Sequence, residues 1–172
     1  MAIRYRFNTE KAIEVLLYIA EKIPDVYTAL KVLYFADKEH LSRYGRLICG
    51  DRYAALPYGV VPSGAYNLIK DARGDRPLQT DSAVLEAFTV DGNRIIPRRE
   101  ANRDLLSISD MECLDAGLQH YGRRSFRQAL RLSHREAPYT DDDLEEGNFI
   151  RFEAIVRRLP QGEELLEYLN TD

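Results

Sequence analysis

Two helices that must touch constrain this chain more than any other feature. Ile13, Leu16, Leu17 and Ala20 recur at the i, i+3, i+4, i+7 spacing of a helix with one apolar stripe. Asn8 or Thr9 is placed to open that helix, which runs to about Lys22 before Pro24 breaks it. Asp25 is a suitable N-cap for a second helix from about Val26 to Tyr44, and Gly45 can close it in the left-handed conformation. Leu30, Leu33, Tyr34, Asp37, Leu41 and Tyr44 share one face of this second helix. So short a gap between the two helices predicts an antiparallel helical hairpin. Asp37 then stands inside an apolar stripe. A buried carboxylate needs donors. Tyrosine hydroxyls or loop N–H groups are expected to supply them, fixing the irregular segment that follows against the helix.

From Leu47 to Val61 the periodicity stops, with Gly50, Pro57 and Gly59 as breakers and Asp51 to Leu56 expected to be extended. Pro62 and Ser63 open a third helix to about Asp71. Residues 72–82 read as a loop. Val84 to Val90 and Arg94 to Arg98 flank Asp91-Gly92-Asn93 and predict a two-stranded hairpin. Ser109 with Glu112, and Ser125 with Gln128, have the spacing of capping boxes, and Gly122 is expected to stop the first of these two helices. Thr140 before three aspartates is a further helix start, since acids favour that end of a helix. Phe149 to Arg158 is amphipathic, Pro160 breaks it, and Glu163 to Leu169 adds a last turn or two. The expected class is mainly α with a small antiparallel β-hairpin, in a single domain over residues 1–172. Its motif-bearing core covers about 9–139, and 140–172 form an amphipathic extension.

Composition narrows the function classes. With 172 residues, 45% hydrophobic and 30% charged, the chain can bury a core of its own. The net charge of −4 argues against a strongly basic nucleic-acid binder. The longest apolar runs, Val15–Ala20 and Leu33–Ala36, fall far short of the roughly 20 residues of a membrane span. Residues 1–7 lack the pattern of a signal peptide. The two cysteines, Cys49 and Cys113, are expected to be reduced and packed. The chain reads as cytoplasmic, with no cofactor and no membrane.

The densest patch of chemistry-bearing residues runs from Asp37 to Tyr66. Asp37 and His40 are i, i+3 on the second helix and can meet. An enzymatic reading makes them an acid–base pair, with Ser63, Cys49 or His134 as nucleophile. The alternative is structural, with Asp37 anchoring the loop. No GxSxG, HExxH or GxxxxGK[ST] occurs. The segment Tyr58-Gly59-Val60-Val61-Pro62-Ser63-Gly64 leads into a helix N-terminus, whose free N–H groups attract carboxylates and other anions. Asp37, His40, His134 and Glu136 do not have the converging spacing of a metal site, so no metal is expected. Arg123, Arg127, Arg131 and Arg135 recur every four residues beside Arg124. They form either a solvated ridge answered by Asp141–Asp143, Glu145 and Glu146 or a docking ridge for an acidic partner, with nucleic acid third.

The run from Lys31 to Arg46, KVLYFADKEHLSRYGR, followed by GDRYAALPYGVVPSGAY from Gly50 to Tyr66, resembles the Panacea domain family. Leu132-Ser133-His134-Arg135-Glu136-Ala137-Pro138-Tyr139 is similar to the family's second hallmark, with Tyr139 where tryptophan is usual. The resemblance covers about Thr9 to Tyr139. It implies a mostly helical, phage-associated antitoxin domain that neutralises a cognate protein toxin by direct binding, in one branch as an adapter that delivers the toxin to the ClpXP protease. It carries no catalytic residues. On this reading the structural motif comprises Asp37, His40, Tyr44, Gly45, Gly59, Pro62 and His134. Tyr53, Tyr58, Val61 and Ser63 are the expected partner-binding residues, with Arg123, Arg127 and Arg131 at the rim. Two other classes stay open: a small hydrolase-like enzyme using Asp37, His40 and His134, and a nucleic-acid-binding regulator.

Overall fold

The computed structural model describes residues 6–57, 59–76, 82–122, 127–128, 131 and 138–171. Asn8 caps α1 (Thr9–Ala20) by accepting the Lys11 N–H at 3.0 Å. Asp25 caps α2 (Val26–Tyr44) through the Thr28 N–H and hydroxyl, and Gly45 closes it at φ 75°. These ends lie where the caps place them, because capping is a contact between near neighbours in sequence.

After α2 the chain forms β1 (Tyr53–Leu56) and β2 (Gly59–Pro62), then α3 (Ser63–Arg73) and α4 (Ser82–Ala87). Next come β3 (Phe88–Asp91), β4 (Arg94–Pro97), a 3-10 turn at Arg103–Leu105 and α5 (Ile108–Tyr121). The C-terminal part holds β5 (Leu144–Glu145), β6 (Phe149–Ile150), α6 (Phe152–Arg157) and α7 (Gly162–Leu169). The molecule is mainly helical with small antiparallel sheets, as its pattern predicts. Among the described residues there are two sheets, however. β3–β4 is the expected hairpin, and β2-β1-β6-β5 is a second sheet in which Ala54 pairs with Phe149 across the chain.

Two local expectations are corrected. Val84 to Ala87 is helical, not extended. Val84 and Ala87 are both fully buried three residues apart, which is a helical period. The capping box of α5 is Ser107 with Asp110, not Ser109 with Glu112. Both pairs have the spacing. Asp110 is buried beside Lys11, whereas Glu112 faces outward and bonds the Tyr44 hydroxyl at 2.8 Å, so tertiary contacts select the register. The second expected box falls on Ser125, outside the described residues.

α2 contributes to two apolar clusters. Leu30, Leu33 and Ala36 pack with α1, α3 and α5, and Tyr34 and Leu41 pack with Tyr53, Ile150, Phe152, Ile155 and Val156. The C-terminal segment therefore folds back onto α2. Cys49 and Cys113 are buried and unbonded to each other. Among the described residues no helix is long and apolar enough to cross a membrane.

One ion pair, buried on its acidic side and open to solvent on its basic side, ties α1 to the segment after β4. Glu14, 2% exposed, accepts both arms of the Arg99 guanidinium, at 2.5 and 2.9 Å, and the Asn102 N–H at 2.9 Å. The Arg99 contact holds its carboxyl below the ordinary value. Arg99→Ala removes two charge-assisted hydrogen bonds from Glu14, and because solvent reaches the guanidinium and the Asn102 N–H remains, it is expected to destabilise the fold by about 1.5 kcal/mol, read by urea denaturation at pH 7. Because the folded pKa lies below the unfolded value of 4.5, the pair's contribution is present above that pH and fades as pH falls. The deficit of Arg99→Ala should therefore shrink in acid. A deficit that is the same at pH 3 and pH 7 would refute the assignment.

Candidate functional site

Two buried carboxylates organise the segment between α2 and α3. Asp37, 1% exposed, accepts the Ile48 N–H at 2.7 Å and the Tyr53 hydroxyl at 2.5 Å. Burial pushes its carboxyl up to about 7, while those two donors pull the other way. The expected anchor is thus present, with one hydroxyl and one loop N–H as the donors. Tyr53 itself is 1% exposed, and its ring lies 4.9 Å from that of Tyr34. It braces the hairpin from beneath, so its expected place on a contact surface is corrected to an internal one.

Asp51, 2% exposed, accepts the N–H groups of Arg52, Gly64 and Ala65 at 2.7–2.8 Å. Burial raises its pKa and the three N–H groups oppose the rise. The residue before α3 is Pro62, which has no capping side chain, so a carboxylate from 13 residues upstream caps the helix instead. The anion-attracting N-terminus read from the sequence is filled by the chain's own Asp51. A Cβ on Gly64 would stand 2.9 Å from Asp51 Oδ1 and 2.8 Å from the Phe7 ring, which accounts for glycine there. Sequence reasoning missed Asp51 because two of its three partners, Gly64 and Ala65, lie 13 and 14 residues away. The available signal was a helix start without a local cap.

His40 has no exposed area. Its Nδ1 lies 2.8 Å from the Arg46 carbonyl, which can only accept, so Nδ1 carries the proton. Nε2 then accepts from the Ser109 hydroxyl at 2.9 Å. Burial lowers its pKa and keeps the ring neutral. Asp110 lies below, 3.4 Å from Nε2, bonded to the Lys11 ammonium at 2.7 Å and the Ser107 N–H at 2.8 Å. Burial would raise the Asp110 carboxyl, but Lys11 and Ser107 outweigh it and hold it below the ordinary value. Asp37 and His40 therefore do not meet. Each has its own partners, and the acid–base pair of the enzymatic reading does not form. The Ser109–His40 contact has the reach of a nucleophile and its base, yet the imidazole is sealed from solvent. Two surface clefts, one at Pro24, Asp25 and Arg94 and one at Glu14 and Arg99, reach neither Asp37 nor His40. Among the described residues no three His, Cys, Asp or Glu side chains converge as metal ligands.

The remaining expected residues fall as follows. Gly45 and Pro62 bound α2 and α3. Gly59 starts β2 at φ 120°. Tyr44 is 44% exposed at the end of α2. Val61 is half-buried, and Ser63 begins α3 with its N–H on the Arg52 carbonyl at 2.8 Å. Arg127 and Arg131 are exposed helical positions. Tyr58, Arg123 and His134 lie outside the described residues, as do Arg124, Arg135 and Glu136. Tyr139, from the second motif, bonds the Tyr34 hydroxyl at 2.7 Å under the Arg158 guanidinium.

Fold and site together define a helical protein whose buried ionisable groups hold a β-hairpin and a helix start in place. The chain belongs to the family described as antitoxin SocA-like, Panacea domain, which matches residues 30–139. An antitoxin-like role follows from that membership. The matched stretch contains Asp37, His40, Asp51, Tyr53 and Tyr139, so the anchored segment lies within it. No curated protein and no solved structure matches the chain.

Proposed function

We propose that the chain is the antitoxin of a toxin–antitoxin pair and neutralises a cognate protein toxin by binding it directly, without chemistry of its own. The observation that carries this reading is the doubly anchored β1–β2 hairpin in a chain of this family. Asp37 and Asp51 hold it from both ends, which removes conformational freedom before a partner arrives and so favours tight association. The accessible part of the hairpin, with Val61 half-buried at its edge, and the exposed Arg127 and Arg131 form the contact face of this reading. A standard interface of about 1,600 Å² is within reach of one face of a domain this size.

The test is expression of the adjacent gene with and without this chain. Growth arrest by the neighbour alone, rescue by this chain and co-purification of the two support the proposal. A harmless neighbour, or a toxic one that is not rescued, ends it. In the same assay Arg127→Glu with Arg131→Glu is expected to weaken complex formation at least tenfold, about 1.4 kcal/mol, while leaving the melting temperature unchanged because both side chains are exposed. Repeating the rescue in a host without ClpX separates the two modes of neutralisation. Rescue that persists means sequestration, the mode favoured here, and rescue that is lost means delivery to ClpXP.

A further inference from the structure

One face of the molecule presents apolar side chains to solvent. Ile108, the first residue of α5, is 74% exposed, more than any other bulky apolar side chain among the described residues. The outward stripe of α5 continues through Glu112 and Asp115, four and seven residues on, both exposed. Tyr44, 44% exposed at the end of α2, stands against that stripe and donates its hydroxyl to Glu112 at 2.8 Å. The Arg43 guanidinium lies 5.2 Å from the centre of the Tyr44 ring and reaches the same Glu112 oxygen at 3.4 Å. The His40 ring packs on it from within at 4.9 Å. Tyr44 is therefore held in one position and presents its apolar area at little cost in side-chain entropy.

The charges on this face are ordered along α5. Arg46 lies at the N-terminal side of Ile108, 3.2 Å from the Ser107 hydroxyl and 3.5 Å from that of Ser109. Its side chain is 47% exposed, and among the described residues its guanidinium makes no contact closer than 3.2 Å. Asp110 beneath it is already answered by the Lys11 ammonium at 2.7 Å. On the other side of Ile108, Glu112 uses one oxygen, Oε2, for both Tyr44 and Arg43. Asp115 adds a second acid further along, bonded to the Tyr18 hydroxyl at 2.6 Å. The order is a cation, an apolar centre and an acid.

A two-fold axis inverts such an order. Passed through Ile108, it lays two α5 helices antiparallel, sets Ile108 against Ile108 and brings each Arg46 to the Glu112 of the other copy. The patch then answers its own charges at both ends, whereas a partner charged in one sense answers only one end.

We propose that the chain pairs with a second copy of itself through this face, with Ile108 and Tyr44 at the centre and two Arg46–Glu112 ion pairs flanking them. The pairing uses no residue of the β1–β2 hairpin and does not depend on the antitoxin reading.

Sedimentation equilibrium of the full chain tests it. The wild type is expected to pass reversibly from 19.8 kDa to twice that mass as its concentration rises through the micromolar range. A monomer throughout overturns the proposal. Ile108→Asp is expected to weaken pairing about tenfold or more. Its melting temperature, read on the dilute monomer, should not fall, because the side chain is exposed and an acid suits the first turn of a helix. A dimer that survives this substitution uses another face, which also overturns the proposal. Arg46→Glu and Glu112→Arg then test the order of charge. Each alone sets like charges together at both ends and weakens self-pairing. An equimolar mixture of the two is expected to form a heterodimer, since both ends then join opposite charges. A mixture that pairs no better than its components overturns the two-fold arrangement. Should Arg46→Glu unfold beside Asp110, Ile108→Asp decides alone. A chain that is monomeric by itself, and that loses the product of the adjacent gene on Ile108→Asp, assigns the face to that partner and defeats self-pairing.

Discussion

Asp37→Ala is expected to remove about 3 kcal/mol of stability, the effect of stranding two buried donors, which is a large part of the roughly 5–15 kcal/mol that holds a typical domain together. The Ile48 N–H and the Tyr53 hydroxyl both lose their acceptor. Tyr53 has a second acceptor within reach, the Leu33 carbonyl at 3.5 Å, so it recovers part of its loss, and Ile48 does not. Tyr53→Phe removes donor and obligation together and is expected to lose only about 1 kcal/mol. Urea denaturation of the three proteins decides the matter. Equal effects of the two substitutions would show that Asp37 does not anchor the loop through Ile48.

Asp37 also sets a pH dependence of unusual sign for a carboxylate. Its folded pKa of about 7 lies above the unfolded 3.8. Between those values the folded state holds a proton that the unfolded state has released, so this group's contribution falls as pH rises from about 4 to 7. Asp37→Asn, uncharged throughout, is expected to cancel that slope. The stability difference between wild type and Asp37→Asn should then move in favour of the variant as pH rises. A difference that is constant across this range contradicts the assignment. Comparing the two proteins at each pH removes the opposite contributions of Glu14 and Asp110, whose folded pKa values are lowered.

The second large effect is expected at Asp51. Asp51→Ala removes the acceptor of three N–H groups, two of them in the first turn of α3, and is expected to destabilise by about 2–3 kcal/mol. The consequence is local as well as global. Amide exchange at Gly64 and Ala65 should accelerate relative to that at Leu68 and Ile69, which are buried further along α3. Unaltered exchange at Gly64 and Ala65 would mean that another group caps the helix. If the hairpin is the toxin's contact face, both Asp51→Ala and Asp37→Ala should weaken neutralisation even at temperatures where the proteins remain folded, because a loosened hairpin must be reordered on binding.

The local half of this protein was legible in its residues. The ends of α1 and α2 follow from Asn8, Asp25 and Gly45, because a cap and the helix it caps are contiguous. The helical pattern with one hairpin gave the class, and an acid inside an apolar stripe gave the anchor. The resemblance read from Lys31 to Tyr66 is the one that the family match bears out. Tertiary structure decided which partners meet. It chose Ile48 and Tyr53 for Asp37, carried Asp51 to a helix start 13 residues on, and paired Ala54 with Phe149. It preferred Ser107 to Ser109 as the cap of α5 because Asp110, and not Glu112, meets Lys11. Periodicity and caps are properties of a few consecutive residues, whereas burial and the pairing of distant polar groups exist only once the chain has closed on itself.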